Sequence, residues 1–207
     1  MRALIVVDLQ NDFMPGGALA VAEGDAVVAV ANRLIPRFEL VVATQDWHPA
    51  EHGSFAANHA DGRPGEVIDL DGLDQVLWPV HCVQGGAGAA FHADLDVDGI
   101  TEVFPKGQDP KVDSYSGFFD NGKRRATGLG DYLRAKGVDE VFVLGLATDY
   151  CVKFTALDAV ALGFRTSLIA DACRAVNLRP EDGAEAIAAM AEAGVAIVAS
   201  TDVASAG

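Results

Sequence analysis

Short apolar runs alternate with helix-like patterns along the whole chain, and that alternation narrows the fold more than any other feature. Runs at 3–7, 40–44, 101–104, 140–144, 165–170 and 195–198 are rich in Val, Ile, Leu and Phe, as in strands buried on both faces. Between them, apolar residues recur at helical spacing. Val27, Ala31, Leu34 and Ile35 follow Asp25 and stop near Pro36; Leu129, Tyr132 and Leu133 precede Gly137. Val152, Ala156, Ala159 and Val160 precede Gly163, and Ile187, Met190 and Ala191 mark a last helix. Strands separated by helices predict an α/β fold: a doubly wound, mainly parallel six-stranded sheet with helices on both faces, in three layers. Ligands in such folds gather beyond the carboxyl ends of the strands. Asp8, Asp46, Lys106 and Cys151 each lie just past a predicted strand end, so four chemically capable side chains converge on one edge.

The length of 207 residues suits one domain over 1–207. Residues 45–100 are rich in Gly, Pro, His and Asp and lack periodicity, too long a stretch for an idle connection, so a functional insertion is expected there. A formal charge of −15 argues against nucleic acid or an anionic membrane as partner. No apolar run reaches bilayer-spanning length, and Asp8 interrupts the first run where a secretory segment would continue. Three cysteines, Cys82, Cys151 and Cys173, form no C-x-x-C pair and fit a reducing cytoplasm. The basic cluster Lys123-Arg124-Arg125 reads as a solvated loop.

Cys151 stands at a strand-to-helix elbow, Gly145-Leu146-Ala147-Thr148-Asp149-Tyr150-Cys151. With Thr148 or Asp149 as the cap, the cysteine falls in the first helical turn, where the helix dipole lowers a thiol's pKa. Backbone N–H groups there also suit a developing oxyanion. The plain alternative is a small buried apolar residue. Asp46 and His48 are two residues apart and face one side of an extended segment. With His81 from the loop Trp78-Pro79-Val80-His81-Cys82 they make a donor set for Zn²⁺, Mn²⁺ or Fe²⁺.

Further motifs occur in order over nearly the whole chain: Asp8-Leu9-Gln10-Asn11-Asp12-Phe13, Thr44-Gln45-Asp46-Trp47-His48-Pro49, His52-Gly53-Ser54-Phe55, Phe104-Pro105-Lys106-Gly107 and Tyr115-Ser116-Gly117-Phe118. With the cysteine elbow and the Trp-Pro-x-His loop, the chain resembles the nicotinamidase/pyrazinamidase family of the isochorismatase-like cysteine hydrolase superfamily. The resemblance implies an amidohydrolase acting on linear amide C–N bonds. It would hydrolyse nicotinamide or pyrazinamide to the free acid and ammonia through a cysteine thioester, in pyridine nucleotide salvage.

It further implies Cys151 as nucleophile, Asp8 as general acid/base and Lys106 as third member of a triad. The oxyanion would lie on the backbone N–H groups of Ala147 and Cys151, beside a cis Leu146–Ala147 bond. One divalent ion, Zn²⁺ first with Fe²⁺ or Mn²⁺ as alternatives, would sit on Asp46, His48 and His81 and hold the substrate's ring nitrogen. Phe13, Leu19, Trp78 and Tyr150 would wall the pocket. Ser54 stands where some members carry a fourth ligand and is left out of the set. His52 is read as loop polarity, and Cys82 and Cys173 as packing.

An amidohydrolase of the same superfamily acting on a ureido or carbamoyl group would keep Asp8, Lys106 and Cys151 but would not need the ion ligands. A dinucleotide-binding oxidoreductase would need a G-x-G-x-x-G turn after the first strand, and Asp8-Leu9-Gln10-Asn11-Asp12 stands there instead. A non-catalytic relative would not need a competent residue at every catalytic position. Oligomeric state stays open, a homo-oligomer included.

Overall fold

The computed structural model describes residues 1–203. Six parallel strands form the main sheet: β1 (Arg2–Val7), β2 (Leu40–Asp46), β5 (Glu102–Lys106), β6 (Glu140–Leu146), β7 (Arg165–Arg174) and β8 (Ala196–Val198). Their spatial order is β5-β2-β1-β6-β7-β8. Ala3 through Val7 of β1 and Val141 through Leu146 of β6 are consecutively buried. Successive side chains of a strand point to opposite faces, so unbroken burial means that both faces of the sheet are covered. Helices α1 (Asp25–Leu34), α2 (Leu129–Ala135), α3 (Lys153–Ala161) and α4 (Asp182–Glu192) connect the strands. All six expected strands and all four helices are present.

The winding direction positions the site. From β1 the chain steps outward to β2 and β5, then crosses back and winds the other way through β6, β7 and β8. The reversal lies between β1 and β6, where an open α/β sheet leaves a crevice at its carboxyl edge. The two strands come very close there. Gly145 has φ +127, and a Cβ on it would collide with the Val7 carbonyl of β1.

Residues 45–100 hold the feature that periodicity missed. An antiparallel hairpin, β3 (Val67–Leu70) and β4 (Leu73–Val76), turns on Asp71 and Gly72, with φ +53 and +85. Asp-Gly is the pair that a type I′ hairpin turn favours, so the signal was in the sequence. The rest of the segment is held by isolated bridges, His48 to Val83 and Phe55 to Trp78, rather than by regular ladders. The basic cluster is a surface loop as expected, with Lys123 paired to Asp158 and Arg124 to Asp71. No helix of the described residues is long and apolar enough to cross a membrane.

Candidate active site

Four adjacent strands, β5, β2, β1 and β6, deliver Lys106, Asp46, Asp8 and Cys151 to the same edge of the sheet. Lys106 ends β5 directly opposite Asp46 in register, and its long side chain reaches inward past β2. Its ammonium ion-pairs with Asp8 Oδ2 at 2.9 Å and donates to Asp46 Oδ1, to the Ser114 carbonyl at 3.0 Å and to Cys151 Sγ at 3.3 Å. Asp8 follows β1 in a left-handed conformation, φ +49, and its Oδ1 accepts from the Thr44 hydroxyl at 2.6 Å. Carboxylate oxygens of Asp8 and Asp46 and the sulfur of Cys151 all lie within 4.8 Å of one another. Gln10 anchors the backbone beside them, donating to the Asp46 and Ala89 carbonyls and accepting from the Asp46 N–H, each at 2.8 Å.

Burial and charge divide the protons among these groups. Burial raises the Asp8 carboxyl, and Asp46 adds to this against Lys106 and Thr44, so Asp8 titrates above the usual carboxylate range. Burial acts the same way on Asp46, but Lys106, His48 and His81 outweigh it and hold that carboxyl well below the usual range. Burial disfavours the Lys106 charge, yet Asp46, Asp8 and Cys151 together push its pKa well up. Burial also drives the Cys151 thiol well up, with Lys106 opposing and Asp8 reinforcing. This runs against the expectation that a helix terminus lowers the thiol's pKa: at this buried sulfur desolvation outweighs both the helix end and Lys106.

The elbow differs from the expected capped helix in a second way. Thr148–Val152 forms one π-helical turn, with the Val152 N–H donating to the Ala147 carbonyl five residues back at 3.1 Å. No side chain caps this turn. The Asp149 carboxylate instead accepts the backbone N–H groups of Val176 at 2.9 Å and Asn177 at 2.8 Å, tying the segment after β7 to the elbow. The Leu146–Ala147 bond is cis, as the resemblance implies.

Asp46, His48 and His81 are buried together, with ligand atoms within 4.8 Å of one another. His48 Nδ1 bonds the Gly107 carbonyl at 2.8 Å and His81 Nδ1 the Pro79 carbonyl at 2.7 Å. A carbonyl only accepts, so each Nδ1 carries the hydrogen and each neutral ring keeps its Nε2 lone pair. Both Nε2 atoms face Asp46 Oδ2, at 3.6 and 3.9 Å. Burial lowers the His81 pKa to about 4, with His48 adding to the effect. Burial works against the charge on His48 too, but Asp46 outweighs it and raises that pKa. Two oriented imidazoles and an ionised carboxylate, each backed by a hydrogen-bonded neighbour, fit a divalent transition-metal ion.

Phe13, Leu19, Trp78 and Tyr150 line one pocket, into which Cys151 and Ala147 also open. The Trp78 and Tyr150 rings meet edge to face at 4.9 Å, and Phe13 lies 5.7 Å from the His81 ring. Every site residue expected from the sequence is therefore in one place. His52 is not loop polarity: it is fully buried, 4.4 Å ring to ring from His48, and its Nδ1 accepts the Ser54 hydroxyl at 2.7 Å. Ser54 thus gives its hydroxyl hydrogen to His52. Cys82 and Cys173 are buried, as expected.

Three pocket residues escaped the sequence reading: Asp113, Tyr115 and Val176. Tyr115 belongs to a quoted motif, and Asp113 stands two residues before it. Asp113 lies in no periodic element and no quoted motif, so only its proximity in the chain to Lys106 hinted at it.

The chain belongs to the isochorismatase domain family, whose sequence model matches residues 2–203. Within that family it is similar to the nicotinamidases. A nicotinamidase of Escherichia coli is 55% identical over 205 residues, 97% of this chain and 96% of that protein. A solved nicotinamidase/pyrazinamidase from Acinetobacter baumanii superposes with a TM-score of 0.94 at 48% identity, covering 97% of each chain. A pyrazinamidase of Pyrococcus horikoshii, solved in complex with zinc, superposes with a TM-score of 0.78 at 41% identity, over 96% of this chain and 98% of that one.

Proposed function

We infer that this protein hydrolyses nicotinamide, and the related pyrazinamide, to the free acid and ammonia, an amidohydrolase reaction of pyridine nucleotide salvage. One observation carries the reading: the Lys106 ammonium lies among Asp8, Asp46 and Cys151, while the other oxygen of Asp46 faces His48 and His81. A thiol nucleophile and an ion site thus share one carboxylate beside a single aromatic pocket. An amidase acting on ureido or carbamoyl groups has no use for the second half of that arrangement.

In the proposed cycle Asp8 takes the Cys151 proton, and Lys106 stabilises the carboxylate it faces and the thiolate that forms. The sulfur attacks the carboxamide carbon, and the N–H groups of Ala147 and Cys151 receive the oxyanion. Asp8 returns the proton to the departing ammonia, leaving a thioester on Cys151. Asp8 then deprotonates the water that releases the acid. Phe13, Leu19, Trp78 and Tyr150 hold the ring against the sulfur and limit solvent entry. Asp46, His48 and His81 would hold one divalent ion, Zn²⁺ by preference, which when bound supplies a Lewis-acid contact orienting the pyridine nitrogen.

The whole chain acts as one hydrolase domain, with the insertion at 45–100 supplying all three ion ligands and part of the pocket wall. Three free cysteines suit a reducing cytoplasm.

The test is ammonia release from nicotinamide, pyrazinamide and a carbamoyl amino acid, with wild type and Cys151→Ala. Turnover of the two aromatic amides by wild type alone is expected. Preference for the carbamoyl substrate, or a fully active Cys151→Ala, refutes the reading.

A further inference from the structure

The hairpin β3–β4 stands apart from the main sheet, and its burial pattern is unusual. Its strands are exposed or half-exposed at every position but one, and the buried position is Gln75, 2% exposed. A lone inward-facing residue on a surface hairpin is ordinarily apolar, because a buried amide is costly unless every hydrogen finds an acceptor. Gln75 meets that condition by reaching into the pocket wall. Its Nε2 has three acceptors in reach that share its two hydrogens: Asp113 Oδ2 at 3.0 Å, the Tyr115 hydroxyl oxygen at 3.1 Å and the Val76 carbonyl at 2.8 Å. A carboxylate and a carbonyl only accept, so the chemistry of these neighbours requires the nitrogen on this side of the amide.

The segment that Gln75 grips serves the site three times within three residues. Asp113 lines the pocket, and its other oxygen accepts the Ser114 N–H at 2.7 Å. The Ser114 carbonyl accepts from the Lys106 ammonium at 3.0 Å. The Tyr115 oxygen receives a second donor, Trp78 Nε1, at 3.2 Å, and Tyr115 packs 5.3 Å from Tyr150. One buried amide therefore ties together the Trp78–Tyr115 wall and the loop that touches the catalytic lysine.

We propose that Gln75 is a positioning residue of the amidase site, whose carboxamide locks the Asp113-Ser114-Tyr115 segment and through it sets the aromatic wall that grips the substrate ring. It touches no reacting atom. Its effect falls mainly on substrate binding, because Tyr115 and Trp78 are walls, whereas Lys106 keeps Asp8 and Asp46 when the Ser114 carbonyl shifts.

The inference rests on the amidase reading, and both are read from one assay. Steady-state ammonia release from nicotinamide is measured for wild type, Gln75→Leu, Gln75→Glu, Tyr115→Phe and Gln75→Leu/Tyr115→Phe, with metal content and circular dichroism on each. Gln75→Leu and Gln75→Glu should each raise KM about tenfold with kcat within about threefold of wild type, at full metal content. Tyr115→Phe should raise KM less. The double variant should be no worse than Gln75→Leu alone, since both changes break the same lock. An unchanged KM in a folded Gln75 variant overturns the proposal, as do effects that multiply in the double variant. Should neither Gln75 variant fold, Tyr115→Phe and Trp78→Phe carry the test, and a wild-type KM in both overturns it. A wild type that releases no ammonia refutes the amidase reading instead.

Discussion

Asp46 gives one carboxylate oxygen to the Lys106 ammonium and turns the other toward the Nε2 atoms of His48 and His81. The two halves of the site are thereby joined through a single buried side chain. Buried charges persist only when paired, and here each charge has partners on two sides. Lys106 answers Asp8 as well as Asp46, so removing any member leaves a partner uncompensated.

Lys106→Met should abolish turnover and destabilise the protein by about 3–5 kcal/mol at neutral pH, the usual cost of breaking a buried ion pair from one side. The loss should depend on pH. Lys106 lowers the pKa of both Asp8 and Asp46, so without it both native carboxyls titrate higher. A carboxyl whose native pKa exceeds its unfolded value loses stability as pH rises through the native pKa. Thermal unfolding should therefore show a wider Tm deficit against wild type at pH 8 than at pH 5. A deficit that narrows toward pH 8 contradicts this account.

Stripping the protein with a chelator should lower Tm and halt nicotinamide hydrolysis, and re-addition of Zn²⁺, Fe²⁺ or Mn²⁺ should restore both. Ion at a hundredfold excess over its Kd stabilises by about 2.7 kcal/mol. His81→Ala should reduce bound metal to a small fraction, read by elemental analysis. Full metal content in that variant would remove His81 from the ligand set.

Gly107→Ala should damage the ion site without replacing a ligand. Gly107 has φ +66, and a Cβ there would collide with the His48 ring, whose Nδ1 its carbonyl accepts from. The left-handed backbone alone costs an alanine about 1 kcal/mol, and the displaced imidazole adds to that. Metal content and kcat should fall together while the circular dichroism spectrum stays that of wild type. An alanine variant with normal metal content would show that His48 has room to move.

Asp8→Asn should separate thiol reactivity from catalysis. Burial raises the Cys151 pKa, and Asp8 reinforces it against Lys106. Removing that negative charge should shift the pH profile of Cys151 alkylation by iodoacetamide to lower pH. At the same time kcat should fall by roughly 10²–10⁴, the usual worth of a general acid/base. Slower alkylation at every pH would mean that Asp8 activates the sulfur without the substrate and would overturn this assignment of charges.

Much of this was legible in the chain. The six apolar runs determined the strands because burial on both faces demands unbroken apolar sequence, and Gly137 and Gly163, with φ +74 and +89, stop their helices as read. Asp8, Asp46, Lys106 and Cys151 were placed at strand ends by local pattern alone. Two features went unread for want of periodicity: the hairpin turning on Asp71 and Gly72, and the pair Asp113 and Ser114. The capped helix at Thr148 was wrong because tertiary demand won, with the Asp149 carboxylate drawn to Val176 and Asn177.

By itself, then, the sequence determined the strands and helices and which chemically capable side chains stand at the strand ends, because strand and helix periodicity are local properties. Only the tertiary structure decided where the protons reside and what supports the pocket. The high pKa of the Cys151 thiol, the double engagement of Asp46 and the reach of Gln75 all depend on burial and on charges brought together from distant parts of the chain. Desolvation and Coulomb energy are set by distances through space, which no local pattern encodes.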